Sequence, residues 1–180
     1  MDVFRQIAVD SGAASAQYNL ARALEEDGSI GEAKQWYRKS AEAGYSHAQA
    51  NLGLLLAEEG DFGSALIYLR KAADLGDGMA ACHAADLDLA MGCEDQAQRF
   101  YEKSFELGYS HAAQHLGGLH LRRGDIAAAK HWFRISQAHG DKYSAWNLGV
   151  IRMHEGKALD LAGLLLCEWP SGDDQGLDEM

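Results

Sequence analysis

Glycine recurs at two fixed stations along this chain. Gly28, Gly60, Gly92, Gly124 and Gly156 follow one another at intervals of 32 residues, and so do Gly44, Gly76, Gly108, Gly140 and Gly172. With 20 glycines among 180 residues, a five-fold column of glycine has a chance probability on the order of (1/9)^5, so two such columns at one spacing mean a repeated structural unit. Tyr45 to Gly76, YSHAQANLGLLLAEEGDFGSALIYLRKAADLG, displays the unit, and the chain aligns with itself on it without a gap.

Within the unit, Ala48, Leu52 and Leu55, flanked by Gly53 and Leu56, keep a 3.6-residue period that stops at Gly60, which predicts one amphipathic helix. Asp61 then stands where its carboxylate can accept from the free amides of a second helix, whose buried stripe reads Phe62, Ala65, Tyr68, Leu69 and Ala72 before Gly76 ends it. Each unit is a helical hairpin. A hairpin this short cannot cover its own apolar faces, so successive hairpins stack, and the expected fold class is an all-α solenoid of helix-turn-helix units. Five full 32-residue units are expected, at 13–44, 45–76, 77–108, 109–140 and 141–172, after an N-terminal half-unit in which Phe4 falls in the column of Trp36, Tyr68, Phe100 and Trp132. Residues 1–172 read as a single repeat domain and 173–180 as an acidic disordered tail.

The segments AQYNLARALEEDGSIGEAKQWYRKSAEAG and AQANLGLLLAEEGDFGSALIYLRKAADLG resemble the tetratricopeptide repeat superfamily. The run Trp36 to Gly44 and the piece Asn51-Leu52-Gly53 resemble its Sel-one-like branch, and the likeness extends over residues 13–172. The resemblance implies a right-handed α-solenoid whose first helices line a concave groove. The function it implies is that of a non-catalytic protein–protein interaction scaffold or adaptor, holding a peptide or protein segment chosen by a few variable groove residues.

A formal net charge of −11 argues against nucleic acid or an anionic membrane as partner, since both need a basic patch. Cys82, Cys93 and Cys167 are odd in number and lack metal-site spacing, and no apolar leader or membrane-length run is present, which points to a reducing cytoplasm. No nucleophile elbow, phosphate loop, dinucleotide fingerprint or spaced carboxylate pair occurs, so neither an enzyme nor a cofactor is expected.

A polar stripe accompanies the apolar one on each first helix. Its seventh unit position reads Asn19, Asn51, His83, His115 and Asn147, all side chains that donate and accept in the neutral state and so suit a peptide backbone. By the resemblance this column faces the groove, where an asparagine holds bound peptide; the alternative is that the asparagine bonds a neighbouring helix. Around it stand Tyr18, Arg22, His47, His111, Gln114, Tyr143 and Trp146. Arg22 and Arg122 are too few cations for the family's clamp on a terminal carboxylate, and Tyr18, Tyr143 and Trp146 favour a ligand with apolar or aromatic anchors. His111 and His115, four apart, could share a metal, but no third ligand is fixed by sequence and no metal is assigned. Position 12 changes from Leu24 and Leu56 to Asp88, His120 and Arg152, either a polar ladder across repeats or a face growing more exposed along the chain.

The last unit departs from the pattern. Leu159, Leu161, Leu164, Leu165, Leu166 and Trp169 crowd its second helix ahead of Pro170, and Leu166 stands in a column otherwise charged. An uncapped apolar end of this kind suggests a homodimer through the C-terminal repeat, with Leu159, Leu161, Leu165, Leu166 and Trp169 at the interface, as an alternative to a groove binder.

Overall fold

At each glycine stop the chain reverses direction. In the computed structural model, which describes residues 2–154, Gly60 has φ +83 and Gly76 φ +93, a left-handed conformation that a β-carbon makes costly. The Gly60 amide donates to the Ala57 carbonyl at 3.0 Å and the Asp61 amide to Leu56 at 2.9 Å, so the last carbonyls of the helix are satisfied as the chain turns. The other described members of both glycine columns share the positive φ.

Between the stops run helices only, with no strand among the described residues. They are α1 (Asp2–Ser11), α2 (Ala14–Glu26), α3 (Ile30–Glu42), α4 (Ser46–Glu58), α5 (Phe62–Asp74), α6 (Gly78–Ala90), α7 (Glu94–Glu106), α8 (Ala112–Arg122), α9 (Ile126–Ala138) and α10 (Lys142–His154). Aspartates open several of them: Asp61 accepts from the Ser64 amide at 3.1 Å, Asp77 from Ala80 at 2.9 Å and Asp125 from Ala128 at 3.0 Å. α8 starts late. Ser110 and His111, which correspond to the first turn of α2, α4 and α6, lie in the turn ahead of it.

The chain divides into two compact units, residues 1–112 and the residues from Ala113 onward. In the first, each helix from α1 to α7 packs on the next. Ala48, Leu52, Ala65, Leu69 and Ala72 are fully buried, as the 3.6-residue pattern requires. Gly53 lets α4 approach α5, because a β-carbon there would sit 2.7 Å from Leu69 Cγ. Two members of the expected stripe behave otherwise: Phe62, the first residue of α5, is 43% exposed and Tyr68 is half-buried, while Leu66 goes inside. Buried serines close two hairpins, Ser40 Oγ donating to the Ala14 carbonyl and Ser104 Oγ to the Gly78 carbonyl, each at 2.6 Å.

In the second unit, α9 packs on α10 and the core gathers Leu121, Ala129, Phe133, Leu148 and Ile151. Helix α10 is the first helix of the fifth repeat. The rest of that repeat, with Leu159, Leu161, Leu165, Leu166, Trp169 and the acidic tail, lies outside the described residues.

Candidate functional site

Tyr18 of α2 is the hub of a ring cluster. Its centroid lies 5.8 Å from Tyr37, 5.1 Å from Tyr45 and 6.1 Å from His47, and Tyr45 and His47 are 5.5 Å apart, all tilted, within the range in which aromatic rings attract. Tyr37 forms the floor, fully buried. Its hydroxyl donates to Glu25 Oε2 at 2.5 Å and accepts from Asn51 Nδ2 at 3.0 Å. Burial first, and then the bond to Glu25, push the phenol well above its ordinary range, so it remains a donor at any physiological pH. Tyr18 and Tyr45 are half-buried and His47 is exposed.

Asn51 is therefore engaged with a neighbouring helix, its amide nitrogen committed to Tyr37 while the side chain stays half-buried beside the rings. Asn19 is exposed on α2. Arg22 is exposed too, but pairs with Glu26 one turn on at 3.0 Å, which occupies the single cation of that helix.

Two repeats further along, part of this construction returns. Tyr101 is buried and donates to Asp86 Oδ1 at 2.6 Å, Tyr109 and His111 pair at 5.2 Å, and His83 Nδ1 is 3.8 Å from Asp86 Oδ2. Burial pushes the Tyr109 hydroxyl up, and the Cys82 thiol and Asp86 carboxylate facing it add to that. Cys82 itself is buried; desolvation, reinforced by Asp86, moves its thiol up to about 12 despite a hydrogen bond with Ser104, which leaves it inert at neutral pH. Cys93 is exposed, and neither of the two forms a disulfide.

Tyr37, Glu25, Tyr45, Tyr101, Asp86 and Tyr109 were not among the candidates drawn from single columns. A signal was present: YSHAQANLG (45–53) and YSHAAQHLG (109–117) match more closely than neighbouring units do, as do Trp36-Tyr37 and Phe100-Tyr101.

In the second unit His115 is exposed on α8, Gln114, Trp146 and Asn147 are half-buried, and Tyr143 is 44% exposed on the first turn of α10. Because His111 lies in the turn before α8, His111 and His115 are not two residues of one helix, and the helical spacing behind a shared metal does not apply. Asp141, ahead of α10, accepts from the Ser144 amide at 2.8 Å, the Tyr143 amide at 3.2 Å and the Ser136 hydroxyl at 3.1 Å. Burial works to raise its carboxyl, but these bonds together hold it below the ordinary value.

Position 12 is not a ladder of its own members. Asp88, only 3% exposed, takes both oxygens to Arg70 of α5 at 2.7 and 3.0 Å, with the guanidinium over the Phe100 ring at 5.1 Å. His120 Nδ1 sits 3.7 Å from Asp125, and Arg152 is exposed. Exposure rises along the column, and the buried acid finds its partner on the preceding second helix.

Residues 14–43 and 46–75 match the tetratricopeptide repeat family model. The structure is similar to the crystal structure of a Sel1 repeat protein from Oxalobacter formigenes, at 26% identity and TM-score 0.64, over 75% of this chain and 62% of that one. It is similar to MamA at 18% identity and TM-score 0.65, over 79% of this chain and 87% of that one. It is also similar to pilF of Pseudomonas aeruginosa at 21% identity and TM-score 0.70, over 85% and 73%. The chain spans less than two thirds of the length of the Sel1 repeat protein. None of the curated protein sequences compared with the chain matches it. The helix-turn-helix repeat expected from the glycine columns, and the tetratricopeptide-type, Sel1-like fold that the sequence resemblance implied, match the fold the chain adopts. No helix among the described residues is long and apolar enough to cross a membrane.

Proposed function

We propose that this helical-repeat chain is a non-catalytic scaffold or adaptor of the cytoplasm, acting without a cofactor and holding a peptide or protein segment in the groove lined by its first helices. Repeats of this type are typical of protein-interaction scaffolds, which supports a protein partner. One observation carries the reading: Tyr18, Tyr45 and His47 form a part-exposed ring cluster bordered by Asn19 and Asn51. Rigid rings supply contact area at small entropic cost, and amides on a neighbouring turn can pair with an extended backbone. Recognition suits this surface better than catalysis, since its chemistry is rings and amides.

The test compares wild type with Tyr18→Ala/Asn19→Ala as immobilised baits in extract of the native host, with quantitative mass spectrometry. A defined set of proteins should be retained by wild type and lost by the variant while far-ultraviolet circular dichroism is unchanged. Equal retention by both baits would refute binding at this face. Asn51 is left intact because its bond to Tyr37 makes it structural.

The second reading, self-assembly through Leu159, Leu161, Leu165, Leu166 and Trp169, rests on the leucine-rich sequence. Leu166→Arg should convert a dimer to monomer in sedimentation, and a wild type that is monomeric at high concentration excludes it.

A further inference from the structure

Within the first unit each helix packs on the next, so the turns from α2 to α3, from α4 to α5 and from α6 to α7 lie along one edge. Lys34, one turn into α3, ties the first two of these turns together by pairing with Glu59 at the end of α4. Around the turns, from Glu25 to Glu32, from Ala57 to Ser64 and from Leu89 to Gln96, the chain carries acids and neither lysine nor arginine. Asp27, Glu58 and Asp61 are exposed there.

Large apolar side chains stand among these acids. Ile30 and Phe62, the first residues of α3 and α5, are 39% and 43% exposed, and Met91 at the third turn is 53% exposed. A glycine follows each of the first two. Gly31 and Gly63 are helical and lie outside the positive-φ set. An added β-carbon would meet nothing within 4 Å at Gly31, and at Gly63 only Asp61 Oδ1 at 3.9 Å, an ordinary contact. Gly53 differs, since Leu69 occupies the space beside it. Glycine weakens a helix; where neither a left-handed turn nor internal packing calls for it, its remaining use is to let another backbone come close.

We infer that this edge docks a basic amphipathic segment of another protein, its apolar side over Ile30 and Phe62, its backbone against Gly31 and Gly63, and its lysines or arginines toward Asp27, Glu58 and Asp61. Exposed apolar residues within a polar rim mark an interaction surface, and the sign of the rim selects the occupant. It repels nucleic acid and anionic lipid and attracts a cationic segment. An amphipathic helix offers apolar anchors at the i, i+3 and i+4 spacing that such a row of contacts needs. The ring cluster gathers toward the other end of the same helices, at the turn from α3 to α4, so this surface is separate from the proposed groove and is tested apart from it.

The probe is a fluorescein-labelled lysine–leucine peptide with its leucines at helical spacing. It is set against a peptide of the same composition with the leucines scattered around the helix, and against one with glutamate for lysine. Fluorescence anisotropy should show the patterned lysine peptide binding at least about 10-fold tighter than either, and weakening as salt is raised. Ile30→Ser/Phe62→Ser should cost about 10-fold. Gly31→Ala/Gly63→Ala should cost about 5-fold while the melting temperature stays level or rises, a combination that a purely structural glycine would not give. Leu75→Ser/Leu107→Ser, exposed at the opposite edge, and Tyr18→Ala/Asn19→Ala should change little. Equal binding of the scattered or the glutamate peptide, full affinity in the glycine variant, or an equal loss in either control variant would overturn the inference. So would a wild-type dimer in sedimentation that Ile30→Ser/Phe62→Ser converts to monomer, which would put a second copy on this edge.

Discussion

Gly117 and Gly118 are neighbours in the interior of α8, and replacing each by alanine should affect stability very differently. Alanine gains about 1 kcal/mol over glycine in a helix interior, a term common to both sites. At Gly118 nothing lies within 4 Å of the new β-carbon, so Gly118→Ala should stabilise by about 0.5 to 1 kcal/mol. At Gly117 the β-carbon would fall 2.5 Å from both Cδ1 and Cε1 of Phe133 and 3.0 Å from Cγ. Phe133 is 1% exposed and has no open side toward which to swing, so overpacking should cost about 1 to 3 kcal/mol and outweigh or cancel the helical gain. The two variants should differ by roughly 1 to 3 kcal/mol. With a urea dependence of about 2 kcal/mol per molar, that is a gap of roughly 0.5 to 1.5 M in midpoint, read by circular dichroism at equal slopes. A Gly117→Ala protein as stable as Gly118→Ala would refute the claim that close approach of α8 to α9 is what keeps glycine at 117.

Three further outcomes are expected. Arg70→Ala should destabilise by about 2 to 3 kcal/mol, because it leaves the Asp88 carboxylate, 3% exposed, without its counter-ion; Arg70→Leu with Asp88→Leu, the residue that units one and two have at that position, should recover most of the loss in a double-mutant cycle. Asp141→Ala should cost about 1 kcal/mol at neutral pH. Since the folded-state carboxyl is held below its ordinary value, the stabilisation is present above about pH 4 and is lost as pH falls through the lowered value, so wild type and variant should converge in denaturation midpoints taken in acid. In a Cys167→Ser background, a thiol reagent at mildly alkaline pH should label exposed Cys93 promptly and Cys82, with its thiol at about 12, on the order of 100-fold more slowly or only on unfolding; equal rates would contradict the burial of Cys82.

The hairpins were legible because their signals are local and periodic. Gly60 and Gly76 adopt the left-handed turn that an all-glycine column implies, Asp61 caps α5, and Ala48, Leu52 and Leu55 are buried. What a single column could not show was the destination of a hydrogen bond. Asn51 reads as a groove amide by its place on the polar stripe, yet the nearest buried acceptor is Tyr37 of the preceding hairpin, and only a comparison of units two apart exposes that tyrosine as recurrent. The late start of α8 was equally hidden: Ser110-His111 repeats Ser46-His47 in letters, but the first pair is turn and the second helix. Phe62 shows the limit of periodicity at a helix end, where the first residue keeps the register of the stripe and still stands 43% exposed.

The tyrosine-to-carboxylate bond at Tyr37 and Tyr101 skips the hairpin between them, where Leu69 fills the column. Among the described residues this bond accordingly recurs with a period of two hairpins rather than one. Excising Tyr45 to Gly108 would bring Tyr109 and His111 to the place of Tyr45 and His47, like replacing like. Excising Tyr45 to Gly76 alone would bring Asp77 and Met79 there, stripping Tyr18 of the Tyr45 and His47 rings. An engineer who lengthens this chain should therefore insert two hairpins at a time.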